Sequence, residues 1–174
     1  MKKLLLLTGI MALSISAFSA GTAFDAKEAS VDIKAKVVQP LDIKTSPLDF
    51  GVMIPGETKW GDVNGIVDIT GTPGENIKIQ VKESEETGYV DHAGPRDVYN
   101  VVLTTGNGET ENEKLPTELT LFTPGILGDQ PEQGVYLLEK DGKKVFTVNG
   151  WAKAGANQKA GQYKGKIYVK AMYQ

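Results

Sequence analysis

Ile77-Lys78-Ile79-Gln80-Val81-Lys82 alternates apolar and polar side chains without a break. A period of two sends every second side chain to the same face of an extended chain, so the stretch reads as a β-strand with one buried face. The pattern recurs on both sides of it. Upstream, Val31, Ile33, Ala35 and Val37 alternate with Asp32, Lys34, Lys36 and Val38 until Pro40 removes a backbone donor and ends the run. Residues 41–43 and 48–54 form the next strand region, broken by Pro47 and closed by the Pro55-Gly56 turn signal. Downstream, strands are predicted at 67–69, 99–103, 119–122, 136–139, 144–151 and 163–173. Lys140-Asp141-Gly142-Lys143 lies between two of them, and Asp-Gly predicts a hairpin because that turn favours positive φ.

No window keeps a helical repeat for more than a turn or two. Short strands punctuated by 20 Gly and 8 Pro predict an all-β fold. We read it as one antiparallel, immunoglobulin-like β-sandwich of eight or nine strands over residues 30–174. Segments 83–96 and 106–116, rich in Gly and acids, are expected to be exposed loops. The chain has no cysteine, so disulfides and thiolate metal sites are excluded. A domain of this size buries enough surface to fold without them.

The first residues have a different character. Lys2 and Lys3 precede an apolar run from Leu4 to Ile15 and then a small-residue stretch, Ser16-Ala17-Phe18-Ser19-Ala20-Gly21-Thr22-Ala23. These are the three regions of a cleaved secretory signal peptide. The apolar run is shorter than the ~20 residues that span a bilayer. Residues 1–20 are therefore assigned to the signal, with cleavage between 19 and 23, and residues 21–29 to a flexible lead-in. No membrane span is expected after processing. The expected location is beyond the periplasm, at the cell surface or outside the cell. A formal charge of −3, lowered further when two lysines leave with the signal, argues against nucleic-acid binding.

Candidate chemistry is sparse. His92 is the only histidine, so a histidine metal cluster and a Ser-His-Asp triad that does not use it are both excluded. Asp91 and Asp97 flank it with the means to orient an imidazole, but beside Gly94-Pro95 the expected state is a solvated loop residue. Glu109, Glu111 and Glu113 with Asn107 and Asn112 supply calcium-type oxygens without the alternating pattern of a calcium loop. A repelling, flexible acidic loop is expected there. Gly106-Asn107-Gly108 lacks the Lys-Ser or Lys-Thr that completes a phosphate loop. Trp60 and Trp151 are the only tryptophans, too few for the aromatic cleft of a typical glycosidase, and each is read as core or groove lining before a sugar platform. The expectation is a protein without catalysis, cofactor or metal.

The two ends carry a resemblance. Val38-Gln39-Pro40-Leu41-Asp42-Ile43 followed by Leu48-Asp49-Phe50-Gly51 resembles the opening of a family of small, uncharacterised secreted domains. Ala160-Gly161-Gln162-Tyr163-Lys164-Gly165, leading into a strand that closes the chain at Tyr173, resembles the ending of exported fimbrial and coat-type β-sandwiches of Gram-negative bacteria. The chain is also similar to the cysteine-free major pilins of colonisation-factor alpha fimbriae. The resemblance covers roughly residues 30–56 and 147–174. Gly161 and Gly165 are expected to make tight turns and a close backbone approach, and Tyr163, Ile167, Val169 and Tyr173 to belong to the closing strand.

The pilin resemblance implies donor-strand exchange, in which a sandwich lacking one strand is completed by the N-terminal strand of the next copy. Residues 30–38 suit that role: nine residues extend ~30 Å. Val31, Ile33, Ala35 and Val37 would be the side chains inserted. The same strand folded into its own sheet would instead give a monomer. Self-association into a polymer, cell adhesion, and a periplasmic chaperone and outer-membrane usher as partners follow from the resemblance. The alternative is a monomeric secreted or surface-attached binding module for a host glycan or protein.

Overall fold

The structure is a computed structural model and describes residues 29–124 and 134–174. The expected signal peptide, its cleavage site and nearly all of the expected lead-in lie outside the described residues. The body, residues 36–174, forms two antiparallel sheets packed face to face. The larger sheet contains β1 (Asp42–Ser46), β2 (Thr58–Trp60), β3 (Gly65–Thr70), β6 (Val98–Thr104), β7 (Lys114–Phe122) and β9 (Lys143–Lys153). Its order is β1-β3-β9-β7-β6, with β2 continuing along the edge of β9 that β3 also uses. The smaller sheet runs β10 (Tyr168–Tyr173), β4 (Asn76–Lys82), β5 (Val90–Asp91), with β8 (Val135–Leu137) also on β4. No α-helix occurs among the described residues; a 3-10 turn at Glu111–Glu113 leads into β7.

The all-β sandwich is thus the fold, with ten strands among the described residues rather than eight or nine. Ile77, Ile79 and Val81 of β4 are fully buried, as their alternation requires. They face Val67, Ile69, Leu119, Leu121, Phe146 and Val148 of the larger sheet. Each of these larger side chains contributes about 1.5–3 kcal/mol by leaving water.

Three expectations about elements are corrected. Asp141-Gly142 does make a turn, with Gly142 at φ 76° and Glu139 N–H donating to Lys143 O, but it does not make a hairpin. β8 pairs with β4 and β9 with β3, β7 and β2, so the turn carries the chain from one sheet to the other. Leu138, fully buried at the crossing, anchors it. The region 48–54 forms no strand; Pro47 ends β1, and only an isolated bridge between Asp49 and Val63 follows. The loop assigned to 106–116 already contains the start of β7, and β5 interrupts the loop assigned to 83–96.

Candidate functional site

The alternating segment 30–38 forms no strand. Val31, Ile33 and Val37 are 83%, 93% and 95% exposed, and Ala35 is exposed as well. The predicted strand is therefore corrected to an extended, unladdered arm. The alternation is there, but the segment pairs with none of the strands among the described residues.

The arm's root is fixed. Gln39 N–H donates to Thr72 Oγ1 at 2.7 Å, and the Tyr173 hydroxyl donates to Gln39 O at 2.7 Å while accepting Thr72 N–H at 2.8 Å. Lys36 pairs with Glu75. A Cβ on Gly71 would strike the Tyr173 hydroxyl at 2.5 Å, so the turn after β3 must be glycine for this knot to close. Tyr173 ends β10, so the chain's last strand holds the start of its body.

β10 also has a free edge. Gln174 N–H donates to Asn76 O, and antiparallel alternation therefore turns the backbone of Met172, Lys170 and Tyr168 toward β4. The N–H and C=O groups of Val169, Ala171 and Tyr173 point the other way, where no strand pairs with them among the described residues. β1 is likewise the terminal strand of its sheet. Between these two edges the sandwich is open. Its seam is a cleft of about 710 Å³, walled by Thr45, Leu48 and Phe50 on one side and Tyr163, Ile167 and Val169 on the other. It continues into a second hollow of about 760 Å³ shared with Met53, Leu115 and Ala154. Thr45 shows the opening directly: it stands opposite buried Val67 in the β1–β3 register, yet is exposed. Leu41, Ile43, Leu48, Ile167, Val169, Ala171 and Tyr173 pack on the core and stay half-exposed along the same line.

The expected closing segment is placed as follows. Val169 and Tyr173 are in β10, whereas Tyr163 and Ile167 precede it. Lys164 instead exchanges both backbone hydrogen bonds with Thr104 of β6. A Cβ on Gly165 would lie 2.6 Å from Leu103 Cδ2 and one on Gly161 2.5 Å from Thr105 Oγ1, which is the close approach expected of both. The Tyr163 hydroxyl lies 2.8 Å from Asn112 O and accepts from Gln158 Nε2 at 2.7 Å, tying the segment to the 3-10 turn. Sequence reasoning missed Thr45, Leu48, Phe50 and Leu103 as walls of the cleft. Their signal was a strand pattern that Pro47 cuts short.

His92 is not solvated: it is fully buried. Its ring stacks on Tyr136 at 5.8 Å and meets Phe146 edge-on at 6.2 Å. Nδ1 lies 2.7 Å from the Tyr99 hydroxyl and 3.4 Å from Asp97 Oδ2, while Nε2 has no partner among the described residues. Burial lowers its pKa, against the pull of the Asp97 carboxylate. Asp97 is itself held, accepting from Ala93 N–H at 2.6 Å across an exposed turn, while the His92 N–H donates to Ile79 O of β4 at 2.9 Å and so sets the ring against the core.

The acidic loop is also more ordered than expected. Glu113 is buried, accepts from Glu109 and Thr110 N–H, and pairs with Lys159 at 2.5 Å. The Lys159 ammonium holds its pKa down at about 2, helped by the Thr110 amide. Glu111 pairs with Lys114 at 2.8 Å. Like charges in sequence are thus sent to different cations.

Trp60 and Trp151 face each other in register across β2 and β9 on the outer face of the larger sheet, with Glu118 and Asn100 next in the same row. Trp60 is 63% exposed. No helix among the described residues is long and apolar enough to cross a membrane. Comparison with protein-family models and with curated proteins gave no match to this chain.

Proposed function

We propose that the chain is a non-enzymatic structural subunit of a fimbria or other surface polymer, exported through the periplasm and joined copy to copy by strand exchange. The observation that supports this is the pairing of a surplus with a deficit: an unladdered alternating arm and an open apolar seam on one molecule. The arm of a second copy would ladder on the free edge of β10 and insert Val31, Ile33, Ala35 and Val37 into the seam. Each larger side chain then contributes about 1.5–3 kcal/mol. Main-chain bonds supply the rest, as in other strand-addition complexes. Such a contact joins unlike surfaces and does not close, so it propagates. A periplasmic chaperone and an outer-membrane usher would suit a subunit exported with its seam open.

The test is size. The intact mature chain should run as heat- and detergent-resistant ladders, lost on deletion of residues 30–38 and nearly lost in Ile33→Asp, which drives a charge into an apolar site. An intact chain that stays monomeric when co-expressed with any neighbouring chaperone and usher would refute the reading.

A second reading, a monomeric module binding a glycan or protein, is favoured by the outward row Trp60, Trp151, Glu118 and Asn100. Aromatic faces stack on sugar rings, and the acid and amide can bond hydroxyls. Retention on immobilised glycan, lost in Trp60→Ala, would support it over the polymer if ladders are absent.

A further inference from the structure

We infer that the exposed turn 52–56 is a seat for the body of the next copy, an interface between copies additional to the inserted strand; the inference rests on the strand-exchange reading. The seam has two distinct ends. One is bounded by Leu41 and Tyr173, where Gln39 locks the chain's own arm to the body. The other is bounded by Val52, Met53, Ile54 and the segment 159–163. An incoming arm running parallel to β10 would emerge at the first end and bring its own body onto the locked root. Running antiparallel, it emerges at the second end and leaves the first free, so copies can follow one another in a line. Antiparallel pairing is also the slightly more stable ladder per residue.

The joint has little slack. Only residues 39–41 separate the arm from β1, and three extended residues reach about 10 Å. Gln39 is moreover bonded to its own body at both backbone groups. The incoming body must therefore rest against the mouth of the seam, and the turn 52–56 stands there.

That turn is apolar at its tip and rigid at its base. Val52 is 87% and Ile54 67% exposed. Ile54 N–H donates to Glu57 Oε2 at 2.9 Å, Glu57 N–H to Ile54 O at 3.1 Å, Gly56 N–H to Gly155 O at 3.0 Å, and Lys59 Nζ to Val52 O at 3.1 Å. Two bare aliphatic side chains on a braced turn lose little freedom on being covered. The face presented by the incoming body is the one around its arm root. It carries a shallow hollow lined by Pro73, Leu137 and the 139–141 turn, next to Thr72. Leu137 is 56% exposed. A tip at one end and a hollow at the other make a second head-to-tail contact with the same sense as the strand.

Three measurements on the intact chain test this. Val52→Asp combined with Ile54→Asp should bind a synthetic peptide of residues 30–38 within twofold of wild type, because both side chains project outward at the rim and the seam walls Leu48, Phe50, Ile167 and Val169 are kept. Its ladders should dissociate in heated detergent at least tenfold faster. Because the chain has no cysteine, Ile54→Cys with Pro73→Cys should give oxidant-dependent dimers and higher species, which Val98→Cys with Pro73→Cys should not. Ladders of unchanged resistance in the double aspartate variant and no Ile54–Pro73 cross-link would overturn the body contact while leaving strand exchange standing. A wild-type chain that neither binds the peptide nor forms ladders would overturn both.

Discussion

His92 carries the clearest single-residue consequence. Its ring is enclosed by Tyr99, Tyr136 and Phe146, and among the described residues the Asp97 carboxyl is the acidic group facing it. Unfolded, the ring takes a proton near its ordinary value of 6.5; folded, burial delays that to lower pH. Stability from the neutral ring is thus fully present above 6.5 and is lost as pH falls below it. The slope is at most about 1.4 kcal/mol per pH unit until the buried ring titrates. Urea unfolding between pH 8 and 5 should show that loss in wild type and a flatter profile in His92→Phe, whatever the variant's absolute stability. Equal slopes would mean that the ring is not held neutral. Sequence gave no hint of this burial, because an Asp-His pair beside Gly-Pro has the composition of a loop. What places the ring is the His92 N–H bond to Ile79 O of β4, a contact between residues far apart in sequence.

At the level of elements, alternation identified β4, β6 and β9 because each buries one face and leaves the other wetter; β10 was located too, although none of its residues is fully buried. It could not say which strands are neighbours. The Asp-Gly turn was correctly located and wrongly paired, since the choice between hairpin and sheet crossing depends on where buried Leu138 lies in three dimensions. The arm 30–38 is the inverse case: its pattern was legible, and yet it pairs with none of the described strands. β10 is the element on which the candidate site turns, and Tyr173 ties its end to Gln39 and Thr72. Tyr173→Phe keeps the ring and removes both bonds. It should cost about 0.5–1.5 kcal/mol, the net worth of an ordinary hydrogen bond, because water can reach the Gln39 carbonyl and the half-exposed Thr72 amide. Hydrogen exchange should quicken at the Thr72 amide more than at Val81 in mid-β4. Unchanged protection at Thr72 would show that the hydroxyl holds nothing.

For the whole molecule, the open seam predicts that stability depends on what fills it. A ligand that binds only the folded state adds about 2.7 kcal/mol at a hundred times its dissociation constant. A peptide of residues 30–38 should therefore raise the melting temperature in a concentration-dependent way, and its Ile33→Asp version should not. A melting point indifferent to the peptide would mean that the seam is not an acceptor. Composition and pattern made the sandwich legible, while the seam was not, because it arises from two edges, β1 and β10, that meet only in the folded chain.

The knot at Gln39, Thr72 and Tyr173 has a mechanical meaning in a polymer joined this way. Tension on such a fibre pulls each arm along its own axis, so the ladder on β10 is loaded in shear, all its bonds at once, and is not peeled bond by bond. The pull then leaves the arm at Gln39 and passes through two short hydrogen bonds into the turn after β3 and the tip of β10. Force arriving at one joint is handed along the very strand that grips the next, so the line of traction runs down the seam and does not pry it apart.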